Sequence, residues 1–154
     1  IEGKRDSLIK TLGKVDILLI NDGEARQLAQ ESNLVKAAAK IRALGPKTLI
    51  IKQGEYGALL FFERHIFSAP GYPLEDIKDP TGAGDSFAGG FMGFLAKTGK
   101  RDLETLKQAV IIGSVMASYN VEAFSCDRLR TLTESEIYDR YRAFQNLSDF
   151  KEIT

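Results

Sequence analysis

The sequence predicts an α/β fold, a mostly parallel sheet covered by helices on both faces. Three observations carry this prediction. Two short, largely apolar runs, "DILLI" (16–20) and "TLIIK" (48–52), have the length and composition of buried strands. The segments around them repeat apolar residues at helical spacing. Glycine and proline punctuate the borders, as at "GP" (45–46) and "PGYP" (70–73).

Each element follows from its own pattern. "RDSLIKTLGKV" (5–15) places Leu8, Ile9, Leu12 and Val15 on one helical face and leads into the strand at 16–20. After "NDG", residues 24–44 are rich in Ala, Leu, Lys and Arg and predict two helical pieces, broken near Ser32 and Asn33 and stopped by Gly45 and Pro46. "ALLFFE" (58–63) pairs with the strand at 48–52 after a glycine-containing turn, and "HIFSA" (65–69) adds another strand. "LEDIK" (74–78) is a short extended approach to the next segment. Phe87, Phe91, Phe94 and Leu95 suit an apolar helix over 84–96, and 103–121 suits a second. An amphipathic helix near "ESEIYDRYRAF" (134–144) closes the fold.

Composition narrows the function classes. With 154 residues, 44% of them hydrophobic, the chain has material for one domain or one large piece of a domain. Lys plus Arg is 21 and Asp plus Glu is 21, so no general attraction to nucleic acid or an anionic membrane is expected. Cys126 is the single cysteine and His65 the single histidine. They exclude an internal disulfide, a Cys/His zinc set and a Cys-His nucleophile, and the chain reads as cytoplasmic. Cys126 is read as an inert thiol and His65 as a surface strand residue. No apolar run approaches the roughly 20 residues that span a bilayer. The opening "IEGKRDSLIK" is too charged for a signal peptide, lacks an initiator Met and starts in what reads as mid-helix, so an absent upstream portion is expected.

The chemistry concentrates in "DPTGAGDSFAGG" (79–90). Of the 14 glycines, Gly82, Gly84, Gly89, Gly90 and Gly93 fall within residues 82–93, and the last three sit where a helix is predicted. A glycine costs a helix interior about 1 kcal/mol relative to alanine. Close approach of another helix or of a ligand offsets that cost. A tight loop followed by crowded helix packing would explain the cluster without any ligand. Two phosphate motifs fail: no Lys follows the glycines as a P-loop requires, and Phe87 stands where the dinucleotide fingerprint needs glycine. General physics still favours an anion here, because a glycine turn feeding a helix N-terminus presents unpaired N–H groups and the positive end of the dipole. Asp85 lies in that first turn, where negative charge is favoured. An anion site beside a carboxylate base suits phosphoryl transfer to a hydroxyl. The amides of Ala83, Gly84 and Asp85 would hold the moving charge and the Asp85 carboxylate would take the proton.

"DPTGAGDSFAGGF" resembles the D-T-x-G-A-G-D signature of the ribokinase-like (pfkB) carbohydrate kinases, with Pro80 where Thr is common. "NDGEA" (21–25), directly after a strand, resembles that family's N-x-x-E motif, and "KQGEYGA" (52–58) its strand-end glycine loop. The resemblance implies a three-layer, doubly wound, mostly parallel ribokinase-like sheet, incomplete at its N-terminal side. Residues 1–154 would then be the C-terminal, ATP-binding and catalytic part of one kinase domain. The N-terminal part, with most sugar contacts, a Gly-Gly motif and a strand-built lid, has no counterpart.

The resemblance also implies residue roles. Asp85 would be the catalytic base, with Gly82, Ala83 and Gly84 forming the anion hole. Asn21 and Glu24 would organise Mg2+ and its waters, though the same pair makes a capping box. Lys52, Gly54 and Gly57 would lie against the ATP phosphates, or the glycines simply turn a hairpin. Gly113 and Ser114 would flank the adenine, or mark tight helix packing. Asp79, with Ser125, would line the monovalent-cation (K+) site of some members. The implied activity is ATP-dependent phosphorylation of a sugar hydroxyl, and the fragment alone is expected to be inactive. Three rivals remain open: a nucleoside kinase of adenosine type, a non-catalytic nucleotide-binding relative, and a plain α/β scaffold. The partner is a small sugar or nucleoside, and relatives that dimerise through the lid allow a homodimer of the full-length protein.

Overall fold

The computed structural model describes residues 2–153. The chain divides into two compact units, one built from the residues up to Gly54 together with Ala58–Ser68, the other from Glu55–Gly57 and the chain from Ala69 onward.

The first unit contains helix α1 (Arg5–Leu12), strand β1 (Ile17–Asn21), helices α2 (Asp22–Ala29) and α3 (Leu34–Arg42), and strands β2 (Thr48–Lys52), β3 (Ala58–Phe62) and β4 (His65–Ala69), whose last residue passes to the second unit. The sheet order is β1-β2-β3-β4. β1 and β2 run parallel with Asn21 beside Lys52, and β3 pairs antiparallel to β2 with Ala58 opposite Lys52. A parallel pair needs a long crossover, supplied here by α2 and α3. The break between these helices falls where the sequence predicts it, because the Asn33 side chain accepts the N–H groups of Val35 and Lys36 and starts α3. Leu12, Leu28, Ile41, Leu49, Ile51 and Phe61 form the core. Ile50 is buried as fully as Leu49 and Ile51, so β2 is covered on both faces. That is why its sequence runs apolar without alternating. Each such side chain contributes about 1.5–3 kcal/mol by its burial.

The α/β class is borne out, and the sheet within this chain is mixed. β3 extends the parallel pair by running antiparallel to β2, and β4 follows β3 through a two-residue connection, Glu63 and Arg64, a length that only an antiparallel pair allows. Glu63 takes a left-handed conformation there (φ 50°), and the Arg42 guanidinium of α3 donates to its carbonyl at 2.8 Å. Residues 74–78 form no strand.

The second unit contains α4 (Ala83–Thr98), α5 (Leu103–Asn120), α6 (Asp127–Arg130) and α7 (Glu134–Leu147). The short α6 has no counterpart in the sequence-based expectation. Phe87, Phe91 and Leu95, spaced four apart, form the buried stripe of α4. Glycine sets how closely α4 and α5 approach. A Cβ on Gly113 would lie 2.9 Å from the Phe87 carbonyl oxygen, and one on Gly90 would lie 2.7 Å from Met116 Cγ. A Cβ on Gly89 or Gly93 would meet nothing within 4 Å.

Helix α7 is fastened by charge and aromatic contacts. The Arg140 guanidinium lies 3.4 Å from the Tyr119 ring centroid and 4.6 Å from that of Tyr72, and pairs with Glu122 at 2.7 Å. Arg128 pairs with both Glu122 and Glu136. Thr133 and Glu136 form the capping box that starts α7. The Thr133 N–H, followed by Arg128, holds the Glu136 carboxyl down to about 2.

Two predictions follow from this packing. Gly113→Val should destabilise the protein by about 1–3 kcal/mol through overpacking against Phe87, whereas Gly89→Ala should stabilise it by up to about 1 kcal/mol. Urea denaturation of both variants checks the pair, and equal shifts would contradict the assignment. Because the folded pKa of Glu136 lies below its ordinary 4.5, its contribution is complete above pH 4.5 and is lost as pH falls towards 2. The difference in Tm between wild type and Glu136→Gln should therefore shrink across that window. A pH-independent difference would refute the coupling.

Candidate functional site

The glycine loop of the second unit is held by partners on both sides. Gly82, just outside α4, is left-handed (φ 82°, ψ −4°), a conformation that costs other residues about 1–2 kcal/mol. Ahead of it, Asp79 Oδ1 accepts the Thr81 N–H at 2.9 Å and Oδ2 accepts the Ser125 N–H at 3.4 Å. These bonds, Thr81 first and Ser125 after it, hold the Asp79 carboxyl below its ordinary value. The Lys78 and Asp79 N–H groups both donate to the Val121 carbonyl, at 2.9 and 3.4 Å. From the last residue of α5, Asn120 Nδ2 donates to the Thr81 carbonyl at 2.8 Å, while its Oδ1 accepts the Ser86 hydroxyl at 3.0 Å.

The result is a helix start with free donors. Ala83 N–H donates to the Pro80 carbonyl at 3.2 Å, and Ser86 N–H donates to the Gly82 carbonyl at 2.8 Å. Among the described residues, the N–H groups of Gly84 and Asp85 have no acceptor. Of the three amides expected to face an anion, Ala83's is therefore engaged by the loop itself. Gly84 and Asp85 offer theirs at the positive end of a 16-residue helix. The exposed Asp85 side chain forms no ion pair or hydrogen bond among the described residues.

In the first unit, Asn21 and Lys52 end adjacent parallel strands, side by side in register. The carboxyl ends of parallel strands are where α/β sheets bind ligands. Asn21 is the N-cap of α2. Its Oδ1 accepts the Glu24 N–H at 2.7 Å, and Glu24 Oε2 accepts the Asn21 N–H at 2.9 Å. The capping box anticipated from the sequence is thus present, and it uses one carboxylate oxygen of Glu24. Gly54 is left-handed (φ 58°), with nothing within 4 Å of where a Cβ would be.

The remaining candidates have local explanations in the second unit. Gly57 has φ 97°, and a Cβ there would collide with the Ala69 carbonyl, so the close pass of the chain requires glycine. Gly113 is buried against Phe87, and the Ser114 hydroxyl donates to the Val110 carbonyl at 3.0 Å. His65 is exposed on β4, and Cys126 is an exposed free thiol. A cavity of about 230 Å³ lined by Gly89, Gly93, Phe94, Met116 and Ile137, among others, includes none of residues 79–86. Among the described residues, no group of three or more His, Cys, Asp or Glu gathers to hold a metal, and no helix is long and apolar enough to cross a membrane.

Asn120 and Ser86 were missed by the sequence reading. The available cue was an asparagine closing a helix whose second half is mostly apolar.

The pfkB family carbohydrate kinase model matches residues 2–131. The chain is 35% identical over 91 residues to the cytidine kinase of Thermococcus kodakarensis, covering 58% of this chain and 32% of that protein. It is 33% identical over 103 residues to the aminoimidazole riboside kinase of Salmonella typhimurium, covering 67% of this chain and 32% of that protein. The solved Salmonella enterica aminoimidazole riboside kinase, in complex with aminoimidazole riboside and an ATP analogue, superposes with a TM-score of 0.79 at 27% identity. That match covers 89% of this chain and 46% of the other. The ribokinase of Thermotoga maritima gives 0.73 at 27% identity, covering 87% of this chain and 44% of that one. The chain therefore spans about a third of the length of these curated relatives and under half of the solved ones.

The capping geometry makes a prediction of its own. Asn21→Ala should cost about 1 kcal/mol, and Asn21→Ser, which keeps an acceptor, should cost much less. Thermal unfolding compares them, and equal losses would mean that the cap contributes nothing.

Proposed function

The chain belongs to the pfkB family of carbohydrate kinases, and from that premise we propose that it is the C-terminal, ATP-binding and catalytic part of a kinase that phosphorylates a sugar hydroxyl. The observation that carries this reading is the helix start at Gly82–Asp85, where two N–H groups without acceptors stand beside an unpaired carboxylate.

The chemistry follows from those groups. The Asp85 carboxylate accepts the proton of the acceptor hydroxyl as its oxygen attacks the γ-phosphorus of ATP. The new O–P bond forms while the bond to the β-phosphate oxygen breaks, and ADP leaves with its electron pair. The Gly84 and Asp85 amides, with Gly82 giving the backbone room to turn, donate to the charge on the transferred group. The Ala83 amide contributes by closing the turn on the Pro80 carbonyl rather than by donating to the transferred group.

The other assignments extend the resemblance. In the first unit, Lys52 and Gly54 contact the nucleotide, and Asn21 and Glu24 hold waters of magnesium. In the second, Gly57 lies by the phosphates, Gly113 and Ser114 border the adenine through their helix, and Asp79 with Ser125 lines a potassium site. Magnesium, when bound, neutralises phosphate charge. Matches to a cytidine kinase and an aminoimidazole riboside kinase favour a nucleoside-like acceptor as the second reading. A soluble cytoplasmic enzyme, homodimeric at full length, completes the proposal.

Asp85→Asn in the full-length protein should leave magnesium-ATP binding by calorimetry nearly intact and lower kcat by about 10²–10⁴-fold. Unchanged turnover would remove Asp85 as the base.

A further inference from the structure

We propose that Asn120 is a positioning residue for phosphoryl transfer, its buried amide clamping the glycine loop at both ends and so aiming the Gly84 and Asp85 N–H groups. The inference rests on the kinase reading above.

Asn120 is only 2% exposed, at the last position of α5, 34 residues from Ser86 and 39 from Thr81. Its two polar atoms are both committed to the loop. The Thr81 carbonyl can only accept, so it requires the Nδ2 donor. Ser86 Oγ then donates to Oδ1. One planar group thus fixes a carbonyl on the residue before Gly82 and a hydroxyl on the residue after Asp85. Asp79 holds the N–H of the same Thr81. The held carbonyl fixes the plane of the peptide entering Gly82, and the held N–H fixes that of the peptide before it. The left-handed turn at Gly82 then sets the direction in which the first amides of α4 point. Electrostatic stabilisation of a transition state depends on donors held in place before reaction, so an unclamped loop loses rate even when the carboxylate is intact.

The alternatives at this position are chemically distinct. Aspartate has the same shape but sets a carboxylate oxygen against the Thr81 carbonyl, where two acceptors repel. Leucine has similar bulk and makes neither bond. Ser86→Ala removes one bond and leaves the Thr81 contact. The links from Lys78 and Asp79 to the Val121 carbonyl and from Ser125 to Asp79 involve none of these side chains, so the loop stays attached to the end of α5 in each variant.

Steady-state kinetics of the full-length protein, with magnesium-ATP and the acceptor that wild type phosphorylates, provide the test. Asn120→Asp should lower kcat at least tenfold with the KM for the acceptor within about twofold of wild type, and Ser86→Ala should fall between the two. Asn120→Leu should match Asn120→Asp. If its apolar side chain unfolds the protein, the isosteric Asn120→Asp and the single-bond Ser86→Ala decide the matter. Wild-type kcat in Asn120→Asp, in a protein where Asp85→Asn is inactive, would overturn the clamp and leave the kinase reading standing. A loss of Tm with kcat unchanged would also overturn it, as the mark of a residue that only stabilises. Absence of phosphorylation and of magnesium-ATP binding in wild type would overturn the kinase reading and this inference with it.

Discussion

The second unit turns on the last two residues of α5. Tyr119 and Asn120 are consecutive, yet they serve different neighbours. The Tyr119 ring carries the Arg140 guanidinium and its hydroxyl donates to the Glu136 carbonyl at 2.9 Å, which ties α5 to α7. Asn120 holds the Thr81 carbonyl and the Ser86 hydroxyl, which ties α5 to the glycine loop. Burial pushes the Tyr119 hydroxyl pKa up, as expected for a phenol donating inside the structure. The helix end is thus an anchor between a charged clamp and the glycine loop. The Val121 carbonyl, one residue on, accepts two further N–H groups from the approach to that loop.

The glycines of α4 and its entry divide by physical role. Gly82 supplies a left-handed backbone, Gly90 supplies room for Met116, and Gly84 leaves its N–H unpaired at the helix start. Gly89 and Gly93 do none of these among the described residues, since a side chain there would meet open space. The crowding inferred from the sequence is therefore real at Gly90 and Gly113 and does not extend along the whole cluster. Helix packing explains Gly90, and the anion site is the role proposed above for the turn at Gly82 and Gly84.

Much of the fold was legible because local pattern and tertiary burial agree. β2 reads as an apolar run since both its faces are covered, and the gap between α2 and α3 reads correctly because Asn33 is a strong N-cap. The mixed sheet departs from the mostly parallel one expected, because β3 turns back antiparallel to β2. The site was legible only in part. Asn21 and Glu24 satisfy a capping box with the same spacing that the family motif uses, so their pattern cannot separate the two roles. Ala83's amide is taken by Pro80 through a turn whose closure depends on Gly82's handedness. Asn120 was invisible because its partners lie 34 and 39 residues away, and no local period connects them.

In the proposed reaction the Gly84 and Asp85 amides receive the transferred phosphate. Amide chemical-shift mapping of the full-length protein, titrated with magnesium and a non-hydrolysable ATP analogue, tests it most directly. Gly84 and Asp85 should shift most within α4 and its entry, with Ala83 moving less because its N–H is already bonded. Saturable binding that leaves both amides unmoved would contradict it.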